Sequence, residues 1–226
     1  IGWPHRIALV REAVIFDLDG VIVDTEHVWD EVRDQLTRDW GGAYTPGAQR
    51  AMMGMSSTEW SRYMHEELGV REAPETISAE VVRRLLDRYR ADLPLLPGAV
   101  EAVRRLADAG LTLAVASSSN RPLIDAVLAG AGLAGLFAAT VSSEEVARGK
   151  PAPDVYLEAA RRLAVSPAKC TAVEDSSNGL RAAHAAGMRV LAFPNRLYPP
   201  APDALALAEA VLDSLDDLTP ALARGA

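Results

Sequence analysis

The sequence predicts an α/β protein: a parallel sheet interrupted, just after its first strand, by an all-helical insertion. Three observations carry this expectation. From about residue 97 onward, short apolar runs alternate with helical stretches, as in parallel strands covered on both faces. Residues 24–94 show apolar positions at helical spacing and no strand pattern. The run Ala13-Val14-Ile15-Phe16 reads as a buried strand that ends abruptly in Asp17-Leu18-Asp19-Gly20. The expected division is therefore residues 1–20 with 95–226 for the sheet, and 24–94 for the helices.

The first strand runs up to Asp17, and Gly20 lets the backbone turn sharply behind it. In the insertion, the helical stripes are Val28, Val32 and Leu36, then Trp60, Met64 and Leu68, then Val81, Leu85 and Tyr89 with Val82 and Leu86. Asp24 or Thr25 is placed to cap the first of these helices. Pro94 and Pro97 mark the return of the chain. Beyond it the expected order is helix Gly98–Ala109, strand Leu111–Ala116, helix Pro122–Ala131 and strand Ala139–Val141. Helix Pro153–Leu163, strand Cys170–Val173, helix Gly179–Ala186 and strand Val190–Phe193 follow. Gly110 and Gly187 stand at helix stops.

Bulk properties narrow the function. The chain has 226 residues, 49% hydrophobic, enough for one large α/β core with an insert. A net charge of −8 argues against nucleic acid as a partner, which requires a basic surface. No apolar run approaches the length of a membrane span, so no membrane association is expected. The first four residues lack a basic flank before an apolar signal core, and no secretion signal is read there. The single cysteine, Cys170, excludes an internal disulfide and fits a reducing compartment, so a cytoplasmic location is expected. The cations are nearly all arginine; Lys150 and Lys169 are the only lysines.

In an open parallel sheet, ligands bind at the carboxyl ends of the strands. Polar residues gather at those ends here. Asp17 and Asp19 share one strand face and need a cation between them; Mg²⁺ favours such carboxylates together with water and substrate phosphate. Ser117-Ser118-Ser119-Asn120 precedes a helix, where hydroxyls and free N–H groups suit a phosphate. Lys150 stands in Gly149-Lys150-Pro151, and Glu174-Asp175 ends a later strand.

Taken together, acid pair, hydroxyl, lysine and acid pair in this order resemble the four motifs of a haloacid dehalogenase superfamily phosphatase with a helical cap after motif one. The resemblance spans the whole chain. It implies a Rossmann-like core, an aspartyl-phosphate mechanism and Mg²⁺. Asp17 would be the nucleophile and Asp19 the general acid and base. Lys150 and Ser117 would hold the phosphoryl oxygens. Asp17, Asp19 through its backbone carbonyl, and Asp175 would hold the metal, with Glu174 in support. Ser118 and Asn120, and in the cap Glu26, His27 and Gly54, would touch substrate. The expected partner is a small phosphorylated metabolite, with a sugar phosphate favoured, acted on by a monomer.

Neighbouring activities fit less well. A dehalogenase does not need Asp19. A phosphonate-cleaving enzyme needs an insert lysine for a Schiff base, and residues 24–94 contain none. The rival is a β-phosphoglucomutase-type mutase, which must grip a distal phosphate with cap cations. Met53 and Ser57 stand where that pattern carries Lys and Arg, with Arg50 and Arg62 nearby. A phosphate-binding module without activity is disfavoured by the presence of both Asp17 and Asp19.

Overall fold

A computed structural model describes residues 10–53 and 55–225. Gly54 and the first residues of the chain, where the signal reading fell, lie outside the described residues. Six strands form one parallel sheet in the order β3-β2-β1-β4-β5-β6. They are β1 (Ala13–Phe16), β2 (Thr112–Ser117), β3 (Ala139–Ser142), β4 (Cys170–Glu174), β5 (Arg189–Ala192) and β6 (Ala210–Val211). β1, β4 and β5 are buried along their whole length, as a sheet covered on both faces demands. Each predicted strand appears within a residue or two of its expected bounds. β6 was not expected, and its two residues carry no readable period.

Between β1 and β2 the chain makes α1 (Glu26–Asp39), α2 (Ala48–Met52), α3 (Ser57–Glu66), α4 (Pro74–Ala91) and α5 (Ala99–Asp108). The first four belong to the insertion, which contains no strand among its described residues. Their predicted stripes are buried: Leu36, Trp60, Met64, Val81 and Leu85 are each at most 1% exposed. α3 is closed at its start by a capping box, with Ser56 N and Oγ both donating to Glu59. The insertion leaves and rejoins the sheet side by side. Val23 bridges Leu95, Asp24 N donates to Pro94 O at 2.8 Å, and Leu96 N donates to Ile22 O at 3.0 Å.

After β2 come α6 (Arg121–Gly130), α7 (Asp154–Arg162), α8 (Ser177–Ala185), α9 (Pro202–Leu205) and α10 (Pro220–Arg224). Leu106, Leu123 and Phe16 share one apolar cluster, whereas Tyr156, Leu180 and Ile15 share another. The sheet thus separates two cores, and the α/β class is the expected one. The register puts Phe16 level with Val115 on one side and Val173 on the other. Asp17, the end of β2 and Glu174 therefore emerge at one height. The strand order reverses direction between β1 and β4, so the crevice opens at that point.

Candidate active site

The site begins with the exit from β1. Asp17 is 7% exposed, and its Oδ1 accepts a hydrogen bond from Lys150 Nζ at 2.7 Å. The same ammonium donates to Glu174 Oε1 at 2.5 Å and stands 5.0 Å from the centre of the Tyr156 ring. The Tyr156 hydroxyl donates to Glu174 Oε1 at 2.7 Å. Glu174 Oε2 accepts the N–H groups of Asp175 and Ser176. Glu174 is thus saturated with donors, which explains how a fully buried carboxylate is tolerated. Gly179 permits it: a Cβ there would lie 1.8 Å from Glu174 Oε1.

Asp175 is different. It is 2% exposed, and its Oδ2 is buried without a hydrogen-bond partner. Ligand oxygens of Asp17, Glu174 and Asp175 all lie within 4.8 Å of one another. Burial pushes the Asp17 carboxyl up to about 8, with Lys150 pulling it down and Glu174 and Asp19 pushing it further up. Burial likewise raises Asp175, reinforced by Glu174 and Asp17. For Lys150, burial works against the charge, but Asp17 and Glu174 outweigh it and hold the ammonium above its ordinary range. One lysine cannot neutralise three buried acids. An orphaned carboxylate oxygen beside two others is what a hard cation would complete. Gly20 (φ 83°) makes the approach possible, since a Cβ there would lie 2.0 Å from Asp175 Oδ2.

Asp19 faces the insertion. Its Oδ1 accepts from Thr25 Oγ1 at 2.5 Å and from Trp29 Nε1 at 3.3 Å; its Oδ2 accepts from Ser119 Oγ at 2.6 Å. Thr25 is the residue before α1, as expected, but its hydroxyl makes no capping bond and serves Asp19 instead. Ser117 is fully buried, and its Oγ accepts the Ser119 N–H at 2.9 Å.

A cavity between sheet and insertion is lined by Asp17, Asp19, Lys150, Asp175, Ser118 and Ser119 below. Glu26, Trp29, Arg33, Met52, Met53 and Trp60 line it above. Of the residues expected to touch substrate, Ser118 and Glu26 line this cavity. Two others do not. His27 is exposed in the first turn of α1, because helical spacing turns Glu26 and Trp29 inward and leaves residue 27 outside. The Asn120 amide donates to Glu144 Oε1 at 2.7 Å and braces the loop rather than the cavity. Trp29, Arg33 and Ser119 were missed as site residues. A tryptophan and an arginine on a helical stripe carry no mark that separates a cavity wall from packing.

A family model for haloacid dehalogenase-like hydrolases matches residues 12–187. The chain belongs to that family. Hexitol phosphatase B of Escherichia coli (strain K12) is 33% identical to this hydrolase over 217 residues, 92% of this chain and 94% of that protein. CbbY of Rhodobacter sphaeroides, solved with phosphate, superposes with a TM-score of 0.84 at 26% identity, covering 96% of this chain and 100% of that one. A mutant of the same CbbY was solved with xylulose-(1,5)bisphosphate and matches with a TM-score of 0.79 at 27% identity, over 91% and 95% of the two chains. β-Phosphoglucomutase of Clostridium difficile shares the fold, with a TM-score of 0.80 at 24% identity over 92% and 93%. Within its family this hydrolase is a phosphatase, with the mutases as structural neighbours. No described helix is long and apolar enough to cross a membrane.

Proposed function

We propose that this phosphatase hydrolyses the monophosphate of a small metabolite, a sugar phosphate or sugar-alcohol phosphate, through an aspartyl-phosphate on Asp17. The carrying observation is a buried carboxylate, Asp17, held at 2.7 Å by Lys150 next to the unpartnered oxygen of Asp175. Relatives that act on or bind phosphorylated carbohydrates support the substrate class.

Asp17 Oδ1 is occupied by Lys150, so Oδ2 is the oxygen that attacks phosphorus. The ester P–O bond breaks, and Asp19 gives its proton to the leaving oxygen. Water then attacks phosphorus, Asp19 takes its proton, and the bond from phosphorus to Asp17 breaks to release inorganic phosphate. Thr25 and Ser119 suit this exchange, because a hydroxyl both donates and accepts and so can hold Asp19 in either state. Lys150 and the Ser118 loop orient the phosphoryl oxygens, and the buried Ser117 hydroxyl braces that loop by accepting the Ser119 N–H. Asp17, Asp175 and the Asp19 carbonyl would hold Mg²⁺, with Glu174 positioning the set through Lys150. When bound, that ion offsets the charge of an anion attacking an anion.

The insertion, residues 24–94, acts as a cap over the sheet lobe, which among the described residues comprises 10–20 with 95–225. The cavity of about 60 Å³ suits a phosphate rather than a whole sugar phosphate, so the cap parts to admit substrate. At the loop that resembles the mutase pattern, Met53 lines the cavity, and the Ser57 hydroxyl donates to Glu144 at 3.1 Å. Neither supplies a cation, which favours hydrolysis over transfer. The decisive experiment is phosphate release from a panel of phosphorylated sugars, sugar alcohols and small acids, with Mg²⁺ and with chelator. Turnover of none of them, or turnover indifferent to chelator, would refute the reading.

A further inference from the structure

Among the described residues, Arg33 is the one cap cation that lines the catalytic cavity. It lies on α1 and is 4% exposed. Its guanidinium carbon is 4.4 Å from the centre of the Trp29 ring and 4.9 Å from that of Trp60. Two indoles therefore cover the group and fix its plane. A guanidinium has five N–H donors. Here one hydrogen bond is formed, from Nη1 to Gln49 Oε1 at 3.2 Å, and the buried Nε has no partner. No carboxylate is within ion-pair distance of it among the described residues. Leaving a buried arginine so poorly paired is costly unless a ligand completes it.

The groups around it point to the kind of ligand. Gln49 Nε2 donates to Glu26 Oε2 at 2.8 Å, so Arg33, Gln49 and Glu26 form one chain along the cap wall. Glu26 lines the same cavity. The wall thus offers donors from Arg33 beside an acceptor from Glu26. The cavity lining as a whole carries four carboxylates, Asp17, Asp19, Glu26 and Asp175, against the two cations Lys150 and Arg33. A second phosphate on the substrate would bring further negative charge into this acidic space. A hydroxyl can accept from Arg33 and donate to Glu26 while adding no charge.

We infer that Arg33 is a specificity-determining residue which, with Glu26 and with Gln49 holding the two in place, reads hydroxyl groups of a neutral sugar or polyol leaving group. This rests on the monophosphatase reading above and narrows its substrate class.

The test compares glucitol 6-phosphate, p-nitrophenyl phosphate and fructose 1,6-bisphosphate as substrates of the full chain with Mg²⁺. The parent is expected to prefer glucitol 6-phosphate to the bisphosphate. In Arg33→Met, the ratio of kcat/KM for glucitol 6-phosphate to that for p-nitrophenyl phosphate should drop about tenfold, mainly through KM. Arg33→Lys keeps the charge and loses the fork, and should lower the same ratio by less; it also serves if Arg33→Met does not fold. An unchanged ratio in the folded variant, with both substrates falling together, would make Arg33 a packing element and overturn the inference. A parent that prefers the bisphosphate, with that preference lost in Arg33→Met, would overturn it in favour of anion recognition. A parent inert toward p-nitrophenyl phosphate would instead strike at the monophosphatase reading itself.

Discussion

The Asp17 carboxylate loses its solvent on folding, and that loss lifts it to about 8 against the pull of Lys150. Asp17→Asn replaces a carboxyl whose charged form burial disfavours, while Lys150 keeps its bond to Glu174. The variant should therefore melt no lower than the parent, yet turn over at least about a thousandfold more slowly, since the nucleophile is gone. Turnover within tenfold of the parent would refute the assignment. Asp175→Ala should leave the nucleophile in place and raise the Mg²⁺ needed for half activity by about tenfold or more, read by metal titration. Glu26 gives a pH signature. Burial, followed by the charge of Asp19, raises it to about 7 from an ordinary 4.5. Its folded-state pKa lies above the unfolded one, so between these values the native state holds the extra proton. Stability contributed by this group is full below about pH 4.5 and is lost as pH rises through 7. The loss is about 3 kcal/mol at 1.36 kcal/mol per unit. Glu26→Gln should thus melt higher than the parent at pH 8, and the difference should vanish near pH 4.

Among the elements, α8 is the one whose start is dictated by the site. Ser176 Oγ accepts the Gly179 N–H at 3.1 Å, which caps the helix. Ser176 N also donates to Glu174 Oε2, so the same turn caps the helix and supplies donors to the carboxylate. Gly179 is the point of closest approach, and any side chain there collides with the whole Glu174 carboxyl group. Gly179→Ala should cost about 1–3 kcal/mol by denaturant unfolding, as overpacking does. Activity should fall as well, because Glu174 would be pushed off Lys150. A variant as stable and active as the parent would show that the turn is looser than this packing implies. In the insertion, α1 has a double duty: its stripe packs the cap through Val32 and Leu36, and its first two turns bring Glu26, Trp29 and Arg33 to the cavity.

For the whole molecule, the question is what leaves with the phosphoryl group. A mutase must hold its intermediate by a distal phosphate while the sugar turns around, and such a dianion needs cationic partners in the cap. Met53 and Ser57 provide none, Arg50 is exposed, and Arg62 is exposed on α3 away from the cavity; Arg33 does line it, but beside Glu26 in a lining of four carboxylates against two cations, which disfavours a second phosphate. Incubation with β-glucose 1-phosphate and a trace of the bisphosphate should accordingly yield inorganic phosphate. Rapid formation of glucose 6-phosphate without phosphate release would reverse the assignment.

How much of this was legible beforehand follows from what kind of signal each feature leaves. Strands buried on both faces read as apolar runs, and helices as stripes, so the sheet, the insertion and Asp17, Lys150 and Asp175 were all readable from local order and spacing. Short pieces such as β6 were not, because two residues show no period. The sequence by itself determined the fold class, the family and the acids, hydroxyl and lysine at the strand ends. Only the tertiary structure decided which neighbours serve them. Thr25 looked like a cap and holds Asp19; Asn120 looked like a ligand group and braces Glu144; Arg33 and Trp29 carried no readable signal and line the cavity. The physical reason is that strand ends are brought together by a register fixed by burial, whereas the direction of a side chain depends on partners far away in sequence. Glu144 lies 24 residues from Asn120, and Lys150 lies 133 from Asp17.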